Sequence, residues 1–381
     1  MGRTFVTFNA GCAISANNFY ISSTVDELDH WDAFSRIFIY RYNNDSSWSM
    51  HDLDGWKVQS VSYLNDSTGR SLLSLDSSGN IEFFREDIEI HQNVFEDANE
   101  NFIYGSFNVV NVIDNSVYVC GDGGRIFKNI NGEWHNIGNG IEEDSIQINV
   151  NDYSFLEFDS HLGFKKNIYD INGFSYDNLY VCGTKGENGY ISFFNGVGWN
   201  DLNKITPSAL YGITICPDNE NLLICGQYGT LLKGSYEKGF KNLKDISINS
   251  TFYNTAYYND NIYIASEQGV YIFDGHKYSI IPNLSDVTGV IHIQEKDSVL
   301  WVLTYKQLIR YDGNTWNRIS HPDNDEYETK LLKCEAGNVC PKTGQWFSPA
   351  NNMKKRYFNK GETMPEIGGN SWGNTIWYLN D

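Results

Sequence analysis

The chain has 381 residues, 41% of them hydrophobic and 15% aromatic, enough apolar material for a sizeable core. Its 48 acidic and 28 basic side chains leave a net charge of −20, which argues against nucleic acid or an anionic membrane as main partner, because both need a basic face. Helix formers are scarce and Met occurs only four times. Asn, Asp, Ser, Gly, Tyr and Ile dominate, a composition that predicts short strands joined by turns and hence an all-β fold.

In chain order, the first unit offers strands at Gly11–Ser15, Asn18–Ser22, Arg36–Arg41 and Trp48–His51, with an insertion, Thr24–Ala33, that predicts a helical turn. The second reads Val58–Tyr63, Ser71–Leu75, Gly79–Phe84 and a degenerate fourth strand near Ile88–Ile90; its exit, Phe95–Phe102, is acidic and carries no strand signal. The third holds Asn108–Val112 and the stretch Val117-Tyr-Val-Cys-Gly-Asp-Gly-Gly-Arg-Ile-Phe, then Asn131-Gly132 and Trp134. The fourth follows the acidic loop Glu142–Asp144 and an insertion around Val150–Gly163, with strands at Lys166–Asp170, Leu179–Cys182 and Tyr190–Phe194. The fifth has Leu210–Ile215, Leu222–Cys225 and Thr230–Lys233; the sixth Phe252–Tyr257, Ile262–Ala265 and Val270–Phe273; the seventh Val290–Ile293, Leu300–Thr304, Gln307–Tyr311 and Trp316–Ile319.

The repeat is carried by the second strand of each unit, marked by Tyr20, Leu72, Tyr118, Tyr180, Leu223, Tyr263 and Trp301 at spacings of 52, 46, 62, 43, 40 and 38. The last three are a four-stranded blade's compact period, and the longer ones contain the insertions. Seven such units predict a seven-bladed β-propeller over residues 1–321. Gly121, Gly183 and Gly226 follow the second strand, where a turn or a close approach would require them. Asn131-Gly132, Asn195-Gly196, Asp274-Gly275 and Asp312-Gly313 mark hairpins between third and fourth strands. The aromatics after them, Trp134, Trp199, Tyr278 and Trp316, are expected to pack between blades. Residues 322–381 break the pattern: an acidic linker, His321–Glu328, precedes a small β extension, expected as a meander docked on the ring, with strands at Gly344–Phe347, Arg356–Phe358 and Thr375–Leu379. Alternatively, Thr375–Leu379 or Thr4–Phe8 supplies the strand that closes the circle.

No constellation announces catalysis. There is no Gly-x-Ser-x-Gly elbow and no Walker loop, and the eight His show no ligand spacing. Gly121–Gly124 is a hairpin turn, since a strand follows it. Asp76–Asn80 has oxygen-bearing side chains in a turn but lacks the spacing of a calcium loop. Cys334 and Cys340 stand too far apart for a zinc pair and read as a buried pair or a disulfide. Cys120, Cys182 and Cys225 recur at one repeat position, as a layer of free core thiols suited to a reducing compartment. We therefore expect no catalytic residue, metal or cofactor. The acidic clusters remain as candidate partner contacts: Asp26, Glu27, Asp29 and Asp32; Glu96, Asp97 and Glu100; Glu142, Glu143 and Asp144; Asp323, Asp325, Glu326 and Glu328. Each lies in a loop or connection, where propellers graft function. No run is apolar enough for a membrane helix, and Met1–Ala10 lacks a signal-peptide pattern, so a cytoplasmic protein is expected.

The repeat, Tyr-Val-Cys-Gly then Gly-x-Ile then Asn-Gly-x-x-Trp, resembles bacterial propellers outside the WD-repeat group. The tail carries Cys340, Pro341, Gly344 and Trp346, then Arg356, Phe358, Gly361, Met364 and Pro365, then Ile376 and Trp377. Over about 45 residues this resembles a C-terminal module of immunity proteins from bacterial polymorphic-toxin and type VI secretion systems. The resemblance implies an antitoxin that neutralises a cognate toxin by binding it; we expect a monomer that forms a heterocomplex and occludes the toxin's active site. A basic toxin would suit the charge. A non-catalytic scaffold propeller is the alternative, and a propeller enzyme would need convergent channel carboxylates that the repeat positions do not show.

Overall fold

The computed structural model describes residues 4–29, 32–44, 46–67, 69–85, 88–95, 102–103, 105–147, 163–202, 205–243, 245, 247–324, 333–351, 354–368 and 375–380. Two compact units emerge: Val6–Ile319, and Met1–Phe5 with Ser320–Asp381.

The larger unit is seven four-stranded antiparallel sheets, each made of consecutive strands. Blade 1 comprises Val6–Ala13, Asn18–Val25, Phe34–Arg41 and Trp48–Asp54; blade 7 comprises Val290–Lys296, Val299–Thr304, Gln307–Tyr311 and Trp316–Ser320. The second strands are buried along most of their length, and entirely so in Leu222–Gly226 and Val299–Thr304, because a neighbouring blade covers each of their faces. Core clusters accordingly span pairs of blades: Val119 and Phe127 of blade 3 pack with Leu73 and Leu75 of blade 2. At the seam, Phe8 and Phe19 of blade 1 pack with Trp301 and Leu303 of blade 7.

Among the described residues no shared strand closes the ring. Val6–Ala13, which contains Val6, Thr7 and Phe8 of the candidate closing segment Thr4–Phe8, is simply the innermost strand of blade 1. Side chains and loop backbone make the seam instead: the Phe8 amide donates to the Tyr305 carbonyl at 2.8 Å, the Ala13 amide to Gln294 Oε1 at 2.7 Å, and Trp301 Nε1 to the Ser15 carbonyl at 3.1 Å. The expected helical turn at Thr24–Ala33 is absent among the described residues. Thr24 and Val25 extend the second strand and a turn follows, because Asp26 is held by Thr7 Oγ1 at 2.6 Å and by Lys306 Nζ of blade 7 at 2.5 Å.

The turn chemistry follows the residues. Asn131 and Gly132 both adopt positive φ, 55° and 93°, in a two-residue hairpin. The other three pairs head longer loops, in which Asn195, Asp274 and Asp312 accept two backbone N–H groups each through Oδ1. The aromatics after these loops reach the preceding blade as expected: Trp134 Nε1 donates to Gln92 Oε1, Trp199 Nε1 to the Ile137 carbonyl at 2.7 Å, and the Tyr278 hydroxyl to the Leu243 carbonyl. Trp316 packs in a cluster shared by blades 6 and 7.

A short pairing of Phe102–Ile103 with Ile146–Gln147 links the connections flanking blade 3, in a region with no strand signal of its own.

The smaller unit holds a four-stranded sheet whose spatial order is Lys333–Glu335, Ile376–Asn380, Gly344–Phe347, Lys355–Phe358. It is not the expected meander: the last strand inserts between the first two, and so does not close the ring. Cys334, Cys340, Trp346, Phe358, Met364, Trp377 and Leu379 form its core. Trp377 Nε1 donates to the Pro365 carbonyl at 2.8 Å and Trp346 Nε1 to the Lys342 carbonyl at 3.1 Å. The residues that carry the tail's resemblance are thus largely those that hold this unit together. Both its cysteines are free thiols.

Candidate functional site

Every innermost strand contains a β-bulge at the same place, and Lys166–Ser175 has a second one further along, between Gly173 and Ser175. The register slips at Asn9, Gln59, Asn108, Tyr169, Tyr211, Tyr253 and Ile291, each following a fully buried apolar residue such as Phe8, Ile168 or Phe252. A bulge re-aims its side chain, and all seven line the central cavity, about 740 Å³ in volume. They form a collar: amides on blades 1 to 3, tyrosines on blades 4 to 6, Ile291 on blade 7. The rings of Tyr169 and Tyr211 lie 5.3 Å apart and those of Tyr211 and Tyr253 6.2 Å apart.

In and below the collar, polar side chains tie each blade to the next. Asn9 Nδ2 donates to the Val58 carbonyl, the Val110 amide to Ser60 Oγ, Asn111 Nδ2 to the Ile171 carbonyl, and the Ile213 amide to Asp170 Oδ2. Thr214 Oγ1 donates to the Thr255 carbonyl and the Ile293 amide to Asn254 Oδ1; Gln294 completes the circuit at the seam. Burial raises the Asp170 carboxyl to about 7 and lowers the His292 imidazole to about 4. Burial also raises the thiols of Cys120, Cys182 and Cys225, which the structure places as free, buried neighbours of this wall; such thiols are inert.

Because strands alternate in direction, two sets of connections emerge at the collar end: those from second to third strand, and those from fourth strand to the next blade. Tyr228, 53% exposed, and Tyr305, 39% exposed, belong to the first set in blades 5 and 7. Gln227 Nε2 donates to the Tyr211 hydroxyl at 3.1 Å, and the Tyr305 hydroxyl to Glu267 at 3.4 Å. Burial first, then neighbouring phenols or Glu267, raise the hydroxyls of Tyr211, Tyr253 and Tyr305 above their ordinary range. They remain protonated donors.

Two of the expected acidic clusters share this end of the ring. Asp26, Glu27, Asp29 and Asp32 sit in the second-to-third connection of blade 1, and Glu142, Glu143 and Asp144 in the connection from blade 3 to blade 4. Several do structural work. Asp26 clamps the seam; Asp32 Oδ2 accepts the Asp29 amide; Glu142 accepts from Asn136 Nδ2 at 2.6 Å and lies 3.6 Å from Arg125 Nε; Glu143 accepts the Lys165 amide at 2.8 Å. The carboxylates of Asp29 and Asp144 take no partner among the described residues. Glu96, Asp97 and Glu100 lie outside the described residues, as do Asp325, Glu326 and Glu328. Asp323 belongs to the smaller unit, 3.7 Å from His321 Nδ1. The Asp76 turn spends its carboxylate on Ser78 and Asn80.

The tyrosine half of the collar was not anticipated. Its trace in the sequence is Ile168-Tyr169-Asp170, Leu210-Tyr211-Gly212 and Phe252-Tyr253-Asn254, one tyrosine after one buried apolar residue in three successive units.

No protein-family model matches the chain. Its sequence is similar to the immune protein Tsi7 of Pseudomonas aeruginosa, 23% identical over 308 residues, which cover 79% of this chain and 92% of that one. Among solved structures, it is similar to a virginiamycin B lyase from Staphylococcus aureus, a catalytically inactive variant with quinupristin, at a TM-score of 0.58 and 12% identity, covering 79% of this chain and 92% of the lyase. The WD40 β-propeller domain of Doa1 aligns at a TM-score of 0.56 and 12% identity, covering 81% and 92%. At such identity the two structures speak to the fold alone. The fold is a β-propeller, and the sequence relationship is to an immune protein.

Proposed function

We propose that this chain is an immunity protein that neutralises a cognate toxin by binding it through the collar end of the propeller and covering the toxin's active site. The observation that carries the reading is the sequence relationship to an immune protein over most of both chains. The face supports it: tyrosines give large contact area with few rotatable bonds and are favoured as interface anchors. They stand beside acidic loops on a molecule of net charge −20, suited to steering a basic partner. In this reading Tyr169, Tyr211, Tyr228, Tyr253 and Tyr305 are the anchors. Glu27, Asp29, Asp32 and Asp144 supply charge at the rim, and Glu96, Asp97 and Glu100, between blades 2 and 3 in the sequence, are proposed as further partner contacts. The protein acts in the cytoplasm as a monomer, against a toxin of a type VI or related secretion system, without catalysis.

The test is co-expression with the toxin encoded beside it. Restored growth and a complex on size exclusion are expected. Tyr211→Ala combined with Tyr253→Ala should weaken the complex by about tenfold or more. Val197→Ser, at a third-to-fourth loop of the opposite end and 93% exposed, should leave it unchanged. Failure to rescue growth or to form a complex would sink the reading, and a pull-down dominated by a housekeeping assembly would point to a scaffold.

A further inference from the structure

The outer strands of blades 1 and 2 bring together a group that the collar does not use. Glu82 in Asn80–Arg85 faces His91 across the pairing with Ile88–Asn93, and Glu89 lies two residues from His91, on the same face of that strand. His51, from the outermost strand of blade 1, reaches across the blade boundary. Its Nε2 is 2.9 Å from Glu82 Oε1, and its Nδ1 is 3.8 Å from Glu89 Oε1; His91 Nε2 is 3.3 Å from the same Glu82 oxygen. Ligand atoms of His51, Glu82 and Glu89 all fall within 4.8 Å of one another.

Glu82 makes this more than a surface ion pair. Its side chain is fully buried, its Oε2 has no hydrogen-bond partner, and neither Lys nor Arg is paired with it among the described residues. A buried carboxylate with an orphaned oxygen is costly unless a cation sits on it. The imidazoles are held in place, His51 stacked on Phe84 at 5.3 Å and His91 against Trp56 at 5.1 Å. His91 and Glu89 remain about half exposed, which leaves a route from solvent.

We propose that His51, Glu82, His91 and Glu89 form a binding site for a divalent transition-metal ion that staples blade 1 to blade 2. Two neutral imidazoles and two carboxylates balance a 2+ charge, and mixed nitrogen and oxygen donors suit zinc and its neighbours rather than calcium or magnesium. Such ions hold these donors at about 2.0–2.2 Å, which in a tetrahedron sets neighbouring ligand atoms roughly 3.3 Å apart. The 2.9 and 3.3 Å separations around Glu82 Oε1 are close to that spacing; His51, Glu82 and Glu89 already lie within 4.8 Å of one another, and His91, touching only Glu82 in this group, completes the site by swinging inward from its half-exposed position. The remaining oxygen of Glu82 is available to the ion or to a bound water.

The experiment titrates the metal-free, untagged full chain with Zn2+ by calorimetry and with Co2+ by visible absorption. One equivalent should bind, Co2+ should develop ligand-field bands, and Zn2+ should raise the melting temperature. Glu82→Gln and, separately, His91→Gln should each weaken Zn2+ binding by about tenfold or more and abolish the thermal shift. The second variant, at a half-exposed position, guards against misfolding of the first. Cys334→Ser with Cys340→Ser should leave binding intact. No stoichiometric binding, undiminished binding in both Glu82→Gln and His91→Gln, or loss of binding in the cysteine variant would each overturn the site.

Discussion

At the residue scale, the channel wall concentrates groups whose protonation differs between folded and unfolded chain. His292 is held down to about 4 by burial, against an ordinary 6.5, with the Gln294 contact opposing the shift. Above pH 6.5 the ring is neutral in both states. As the pH falls from 6.5 towards 4, the unfolded chain takes up a proton that the folded chain refuses, so stability declines by at most roughly 1.4 kcal/mol per pH unit. Denaturant unfolding at pH 7 and pH 4.5 should therefore show the wild type losing about 2 kcal/mol more than His292→Gln; equal losses would refute the assignment. Gly183 is a second case. A Cβ there would stand 1.9 Å from the Asn167 carbonyl oxygen, whereas the matching positions in blades 1, 6 and 7 hold Ser23, Ser266 and Thr304. The same approach recurs at Gly121 and Gly226, where a Cβ would stand 2.1 and 2.0 Å from the Ser106 and Ala209 carbonyl oxygens, so the glycine is a requirement of blades 3, 4 and 5 rather than of every blade. Gly183→Ala should cost about 3 kcal/mol or more in unfolding free energy, and a near-neutral effect would show that the two strands can part.

At the scale of elements, blades are joined from outside by aromatics and from inside by amides, hydroxyls and carboxylates. Trp199 both packs against blade 3 and donates to its Ile137 carbonyl. Trp199→Phe should cost about 1 kcal/mol, for the lost hydrogen bond, and Trp199→Ala about 3 kcal/mol, with the packing lost as well. If the two variants unfold at the same denaturant concentration, the ring contributes nothing. These outer aromatics were legible because each follows an Asn-Gly or Asp-Gly turn. The bulges were not legible: each adds one residue, of varying type, to a strand whose pattern is otherwise ordinary, and only the pairing partner reveals the slip. The expected helix in Thr24–Ala33 failed for a related reason, since Asp26 is claimed by Thr7 and Lys306, the latter 280 residues away in the chain.

For the whole molecule, consecutive blades make a ring whose first and last members meet through side chains and loop backbone rather than a shared strand. The seam therefore depends on groups such as Gln294 and Trp301. The net charge of −20 belongs to this scale too. If the partner is basic, its association rate should fall severalfold between low and physiological ionic strength while dissociation changes little. Stopped-flow or surface-binding kinetics at two salt concentrations would measure this, and an association rate indifferent to salt would exclude charge steering.

The sequence by itself determined the all-β class, the seven units, the turn positions and the buried free thiols of Cys120, Cys182 and Cys225. All of these follow from local periodicity, turn residues and composition, which need no knowledge of distant contacts. Tertiary structure alone decided three things: that tyrosines from three blades share one rim, that acidic loops far apart in sequence emerge at the same end, and that His51 meets Glu82 across a blade boundary. Each depends on the curvature of the ring and on strand register, which bring side chains from different repeats within a few ångströms, and no spacing along the chain encodes such a meeting.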